Sequence, residues 1–455
     1  MLKTERALIW THTLTVLTGQ LAAVLSGVVD TVVAGQYSNE ALAALSVASA
    51  LNISVIVSLI GVLNVLLPIY AEHRGAGRHL EVGKTLHQGL YLAMGLSVIA
   101  FLILMFPHWL LNLSQVPPHL ISDIEHYLAI QAFMVPLFML FRMYAALNQA
   151  LGKPWFVTWL QVGILILKIP LSFVLVSRFG LAGCAMASLT VTATGLTIGV
   201  YLVATHLDYK PFAVWRKLDA PNWGAIRRHL RLGLPAGLSQ LVEITSFTLI
   251  ALLVARLGIT ASAAHQIAST MAAMVFMLPI SYGVASTARV SYWIGHGNPK
   301  LAAQLIRQTL SWGLVFSCTL CVAILIGRHW LATLFSSNPD VVALASTLLA
   351  FVAFYHVPDS LQIMGMFLLR CYRITLMPLI VYSIFLWGIG LGGGYYLAYG
   401  NGHTAFAQTP NAFWLTAIVS LSIVAAWFSM ALLKVSKEKA NNGKANTLWQ
   451  PKVSV

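Results

Sequence analysis

The stretch LSGVVDTVVAG, residues 25–35, contains one charged side chain, the carboxylate of Asp30, among small and apolar residues. It closes an apolar run, residues 9–35, that is long enough to cross a bilayer as a helix. A carboxylate at bilayer depth costs ~2.5–3.5 kcal/mol even on a lenient insertion scale. Asp30 therefore predicts a membrane helix in which this charge faces a cavity or a partner group.

The composition of the whole chain points to the same class of protein. Of 455 residues, 58% are hydrophobic and 9% are charged, and the mean hydropathy is +0.80. Soluble domains carry about 25% charged residues, so the sequence predicts an all-α polytopic membrane protein. Twelve apolar runs of spanning length can be drawn, at 9–35, 42–71, 86–106, 124–148, 155–177, 181–206, 231–256, 263–292, 304–327, 342–369, 374–398 and 409–433.

The net charge of +14 follows the predicted topology. Cytoplasmic loops retain Lys and Arg, and the outer segments hold only Arg178, Arg256 and Arg328. We therefore predict a multi-pass protein of the cell inner (plasma) membrane with both termini cytoplasmic. Contact with anionic headgroups of the lipid bilayer accounts for the charge, and no nucleic-acid partner is required. The inner-side basic residues are Lys3, Arg6, Arg74, Arg78, Lys84, Lys153, Lys210, Arg216, Lys217, Arg227, Arg228, Arg231, Lys300, Arg307, Arg370, Arg373 and those of the tail from Lys434 to Lys452.

The two halves of the chain resemble each other weakly at a shift of about 220 residues. GAGRHLEVGKTLHQGL from Gly75 lies over GHGNPKLAAQLIRQTL from Gly295, and AFMVP ending at Pro136 recurs as AFYHVP ending at Pro358. Each half has six predicted helices, an even number, so the repeats share one orientation and are related by an axis along the membrane normal.

This repeat predicts two six-helix bundles related by pseudo-two-fold symmetry, with a V-shaped cleft and transport by alternating access. The predicted parts are an N-terminal lobe at 1–206, a cytoplasmic linker at 207–230, a C-terminal lobe at 231–433 and a cytoplasmic tail at 434–455.

Three acidic residues fall inside predicted spans: Asp30, Glu243 and Asp359. Each has two possible roles: a structural group hydrogen-bonded to a neighbouring helix, or a ligand for an ion or an organic cation. Ionisable residues inside a membrane are functional by default. Pro358 frees a backbone carbonyl one turn earlier, an oxygen ligand that suits hard cations. Tyr355 stands one turn before Asp359 on the same face; it offers a phenol oxygen to a metal ion, a ring to an organic cation, or only packing. Glu243 and Asp359 are the better pair for Na⁺ or a proton.

Asp30 has a candidate ion-pair partner in Lys168 of LILKIPLSF. If the two pair, Asp30 stays ionised and its proton uptake is suppressed, because a nearby opposite charge favours the charged carboxylate. Without the pair, Asp30 is a candidate residue for binding substrate or a proton.

Four motifs together resemble the multidrug and toxic compound extrusion (MATE) transporters of the NorM type, over residues 10–433. They are GVVDTVVAG, GLPAGLSQLVEITSF, AAHQIAS with FMLPISYGVASTARVSYWIG, and VPDSLQIMGMFLLRCYRIT. The resemblance implies antiport, in which Na⁺ or H⁺ enters while an organic cation leaves. It also implies that Glu243, Asp359 and Tyr355 form the cation site of the second lobe and that Asp30 is the acid of the first.

One stretch departs from that family. Its members typically read Asn-Ile-Pro-Leu-Asn where this chain reads KIPLS, so Lys168 and Ser172 replace both asparagines. We therefore expect an Asp30–Lys168 ion pair rather than a proton switch in the first lobe.

The predicted function is a cation-coupled antiporter that exports small organic cations and acts as a monomer, with Na⁺ or H⁺ as coupling ion and no other cofactor. The alternative is a lipid or polysaccharide flippase of the same superfamily, for which basic cavity residues are expected; here the deep charges are mostly acidic. A channel is disfavoured by the repeat. An enzyme is disfavoured because no nucleophile–base pair is visible, and Cys318 and Cys321 lack further ligands for a structural metal.

Overall fold

The computed structural model describes residues 1–113, 117–215, 217–400 and 406–441. Within these ranges the regular structure is helical, and twelve helical segments are long and apolar enough to cross a membrane. The predicted all-α, twelve-span architecture is thus confirmed. Arg216 and the part of the predicted tail after 441 lie outside the described residues.

The helices of the first half are α1 (Leu2–Tyr37), α2 (Asn39–Leu63), α3 (Leu66–Gly75), α4 (His79–Met105), α5 (His108–Leu113), α6 (Pro118–Ala150), α7 (Pro154–Phe179) and α8 (Leu181–Thr205). A 3₁₀ turn, Leu207–Phe212, follows. The helices of the second half are α9 (Trp223–Ala255), α10 (Ile259–Gly295), α11 (Pro299–Phe335), α12 (Pro339–Cys371), α13 (Leu376–Ser383), a π-helix (Ile384–Gly393), α14 (Gly394–Tyr399) and α15 (Asn411–Asn441).

Polar caps set the first residues of several helices. The Ser38 hydroxyl accepts a hydrogen bond from the backbone N–H of Ala41 at 3.0 Å and so caps α2. The side chain of Asn298 caps α11 in the same way, and that of Asn338 caps α12. Such caps satisfy N–H groups that have no partner inside the helix.

The predicted span 42–71 is one membrane segment but two helices, because the helix is interrupted between Leu63 and Leu66. Pro68 explains the interruption: it lacks the N–H that would bond the carbonyl of Asn64. Periodicity alone did not predict this break.

The described chain forms two compact units. The first, called here the N-terminal unit, comprises Leu14–Gly237; the second, the C-terminal unit, comprises Met1–Thr13 and the chain from Leu238 onward. In the N-terminal unit, α6 packs against α2, α4 and α8; in the C-terminal unit, the repeat-related α12 packs against α10, α11 and α15. The predicted lobe boundaries at 206 and 231 stay a prediction.

The first turns of α1 are fixed within the C-terminal unit. Glu5 is buried, and its carboxylate accepts two hydrogen bonds from the Arg289 guanidinium, 2.7 Å from Nε and 2.5 Å from a terminal nitrogen. The Trp10 ring packs against Tyr282 with centroids 5.0 Å apart. Bidentate geometry makes this among the stronger kinds of ion pair.

Candidate functional site

Asp30 on α1 and Lys168 on α7 meet inside the N-terminal unit. Lys168 Nζ donates a hydrogen bond to Asp30 Oδ2 at 2.7 Å. Both residues are buried, with exposed fractions of 8% for Asp30 and 3% for Lys168. The structure thus brings together the two residues that the sequence proposed as a pair, and their charges cancel.

A cavity of about 320 Å³ surrounds this pair. Three acceptor oxygens, Asp30 Oδ1, Asn52 Oδ1 and Gln131 Oε1, belong to its lining and have no hydrogen-bond partner among the described residues. Phe138 and Phe141 contribute aromatic rings to the wall. Asn52 and Gln131 were not predicted to belong to this site, because they lie on α2 and α6, far from Asp30 along the chain.

Glu243, Asp359 and Tyr355 form one cluster in the C-terminal unit. Asp359 and Tyr355, on α12, are 3% and 4% exposed, and Glu243, on α9, is half-buried. The carboxylates of Glu243 and Asp359 are close enough to repel each other. The Tyr355 hydroxyl lies beside the Asp359 carboxylate. Gln362 adds an amide, with Nε2 3.4 Å from Asp359 Oδ1. The described residues hold no group of three or more His, Cys, Asp or Glu suited to a metal ion.

Aromatic rings pack around Tyr355. Its ring meets Phe247 edge-to-face with centroids 6.2 Å apart and Trp414 with centroids 5.5 Å apart. Trp414 in turn contacts the buried His265, with centroids 5.7 Å apart. These contacts fix the orientation of the phenol beside the carboxylates.

Two further residues interact with this cluster, and neither was predicted from the sequence to do so. Tyr382, on α13, is buried and interacts electrostatically with both Glu243 and Asp359. Arg370 is buried on α12 and is attracted to Glu243, and its two terminal nitrogens have no hydrogen-bond partner among the described residues. Gln362 could have been found from its spacing one turn after Asp359, whereas nothing in the sequence links Tyr382 to the site.

The π-helix lies next to this cluster. The Trp387 indole donates to the carbonyl of Val242, the residue before Glu243, at 3.3 Å. Thr416 donates to the carbonyl of Gly390 at 2.7 Å. A Cβ on Gly394 would lie 2.5 Å from the Phe413 ring, so only glycine permits this approach. π-helical segments occur frequently at functional sites.

Comparison with known proteins identifies the family. The MatE family model matches residues 16–174 and 235–396, which is more than half of the chain. This chain belongs to the MatE family. Membership makes it a membrane transporter and not an enzyme.

Individual MATE relatives agree over almost the full length. The chain is 33% identical to the probable multidrug resistance protein NorM of Aromatoleum aromaticum over 436 residues, 94% of each chain. It is 30% identical to the multidrug resistance protein MdtK of Yersinia pseudotuberculosis, over 93% of this chain and 94% of that one.

Solved MATE structures share the fold. The Vibrio cholerae MATE transporter VcmN in its bent form superposes with a TM-score of 0.84 at 19% identity, covering 97% of this chain and 99% of that one. The eukaryotic MATE transporter AtDTX14 superposes with a TM-score of 0.84 at 16% identity, covering 97% and 100%. At these identities the likeness concerns the fold alone.

Proposed function

We propose that this MATE transporter exports small organic cations, including drugs, in exchange for Na⁺ or H⁺ by alternating access. The observation that supports the proposal most strongly is the cluster of Glu243, Asp359 and Tyr355 in the C-terminal unit. Two carboxylates that repel each other are expensive in a membrane interior, and one of them, that of Asp359, is buried. A bound cation relieves that repulsion.

The same cluster accommodates either class of cation. Carboxylate and phenol oxygens suit Na⁺, and either carboxylate accepts a proton. The Tyr355, Phe247 and Trp414 rings provide faces of the kind that attract organic cations. Because coupling ion and cargo need the same charges, occupancy by one excludes the other, and this competition couples the two fluxes.

The exchange ratio decides how much the membrane potential contributes. In a one-for-one exchange of monovalent cations the membrane potential cancels, and a tenfold gradient of the coupling ion, about 1.4 kcal/mol, sustains roughly tenfold export.

Asp30 has a different role in this scheme. Its charge is already balanced by Lys168, so it binds substrate or a proton only when that pair opens. The C-terminal unit therefore provides the coupling site. We also propose that the protein acts as a monomer in the cell inner membrane, with both termini cytoplasmic and anionic lipid against its basic side.

The test is efflux of a fluorescent organic cation from proteoliposomes under an imposed Na⁺ gradient and, separately, a proton gradient. Glu243→Gln and Asp359→Asn should each abolish gradient-driven efflux, whereas Asp340→Asn, an exposed residue at the start of α12, should leave it unchanged. Efflux at the wild-type rate in both cluster variants, or efflux indifferent to both gradients, would refute the proposal.

A further inference from the structure

The chain after α8 is held against α4 as a strap, defined here by its described residues, 207–215 and 217–222. The His87 imidazole donates from Nε2 to the carbonyl of Val214 at 2.9 Å, and its Nδ1 lies 3.0 Å from the Asp219 carboxylate. The Gln88 amide donates to the carbonyl of Ala220 at 3.0 Å. Tyr91, one helical turn after His87, donates to the carbonyl of Asp219 at 3.0 Å. One face of α4 therefore holds the strap in a fixed position.

Close packing and an ion pair add to this attachment. A Cβ on Gly83 would lie 2.2 Å from the carbonyl oxygen of Phe212, so the strap contacts the α4 backbone itself. Tyr209 donates to Asn148 Oδ1 at 2.6 Å, and Asp208 pairs with Lys153. The strap is part of the N-terminal unit.

A cavity of about 300 Å³ lies beneath the strap, between α4, α6 and α8. Its polar side chains are His87, both of whose ring nitrogens are engaged, and Tyr144. Among the described residues, the lining contains no carboxylate and no Lys or Arg. The remaining lining residues are aliphatic or aromatic: Leu86, Leu90, Leu140, Met143, Leu147, Leu196, Val200, Val203, Val214, Trp215 and Leu218.

The rim of this cavity combines apolar exposure with positive charge. Trp215 is 58% and Leu218 51% exposed, and Val200 on α8 is also exposed. Lys217 is exposed between the two strap residues. Trp rings favour the depth of lipid headgroups, and a basic residue there attracts anionic lipid by about 1 kcal/mol.

We propose that this cavity binds one acyl chain of an anionic phospholipid from the leaflet on the strap side, with the lipid phosphate against Lys217. The apolar walls match a hydrocarbon chain, and each CH₂ buried there contributes as in membrane insertion. An organic cation does not fit, because the lining offers it no negative charge. The site is separate from both carboxylate sites, so the proposal is independent of the coupling mechanism.

Native mass spectrometry of the full chain in mild detergent tests the proposal. The probes are phosphatidylglycerol, phosphatidylcholine with identical acyl chains, and glycerol phosphate, which has the headgroup charge but no chain. One phosphatidylglycerol should be retained in preference to phosphatidylcholine, and glycerol phosphate should not bind.

Variants separate the headgroup from the chain. Lys217→Ala should weaken retention of phosphatidylglycerol about fivefold without affecting phosphatidylcholine, and Lys300→Ala, an exposed lysine of the other unit, serves as its control. Val200→Trp at the rim should weaken retention of both lipids by about tenfold or more, as expected when two or more CH₂ groups are excluded.

Leu196→Trp, inside the cavity, repeats that test at a second position, and thermal melts confirm that each variant is folded. Unchanged lipid retention in both tryptophan variants would overturn the proposal. So would equal retention of the two lipids, or an unchanged preference in Lys217→Ala.

Discussion

Removing one partner of the buried pair should expose how strongly the N-terminal unit depends on it. In Lys168→Met, the flexible apolar side chain keeps most of the volume of lysine but leaves Asp30 Oδ2 without its 2.7 Å donor. Breaking a buried ion pair on one side costs ~3–5 kcal/mol, because an uncompensated charge stays behind. At about 2–4 °C per kcal/mol for a unit of this size, the thermal midpoint should fall by roughly 6–20 °C.

The double variant Asp30→Asn, Lys168→Met separates charge from packing. Replacing both partners of a buried pair is often neutral or stabilising, so the double variant should recover most of the loss. The matched control is Lys84→Met, which breaks an exposed pair with Glu81 of similar length, 2.6 Å. Exposed pairs are worth ~0–1 kcal/mol, and this variant should melt close to the wild type.

The assay is thermal unfolding in one detergent, followed by tryptophan fluorescence. The loss in Lys168→Met should be smaller at pH 5 than at pH 8, because a proton can then neutralise the orphaned carboxylate. Should the single variant melt within 2 °C of the wild type at both pH values, or should the double variant melt no higher than the single one, the reasoning is wrong.

Three further predictions concern contacts outside the carboxylate sites. Gly83→Ala should destabilise the N-terminal unit and speed proteolysis of the strap, whereas Gly95→Ala on the same helix, where a Cβ meets open space, should not; equal melting of the two variants would contradict the packing. Arg289→Lys should lower the thermal midpoint, because lysine cannot donate two parallel hydrogen bonds and a charged hydrogen bond is worth ~1.5–3 kcal/mol; an unchanged midpoint would argue against the bidentate pair. Lys153→Ala should cost a little stability at pH 7 and less at pH 3, because Lys153 holds the pKa of the Asp208 carboxyl below its ordinary 3.8. The stabilisation is fully present above 3.8 and is lost as the pH falls through the lowered pKa. A loss of the same size at both pH values would exclude that cause.

Much of the fold could be predicted because membrane insertion imposes a simple rule: twelve long apolar runs give twelve spans. Bounds were less accurate, since helices continue through polar ends; α11 covers Pro299–Phe335 where the apolar run covers 304–327. The break between α2 and α3 and the π-helix escaped prediction, because both depend on single backbone hydrogen bonds that periodicity does not report.

The candidate site was predictable only in part. Intramembrane charges such as Asp30 and Glu243 are conspicuous because they are costly, and Tyr355 follows from helical spacing. Tyr382 and Gln131 are polar residues of ordinary appearance, and only tertiary packing places them beside a carboxylate. The cavity under the strap could not be predicted from the sequence either. Leucines and valines that line a cavity have the same sequence pattern as those that fill a core.

Lys168 has a consequence for how this transporter can change under selection. Lysine and asparagine codons differ only in their third base, so a single point mutation restores the asparagine that is typical of the family at this position. That mutation would remove the built-in counter-ion and leave the buried Asp30 carboxylate without its ion-pair partner. One base change therefore separates the present transporter from one with an uncompensated charge in its N-terminal unit.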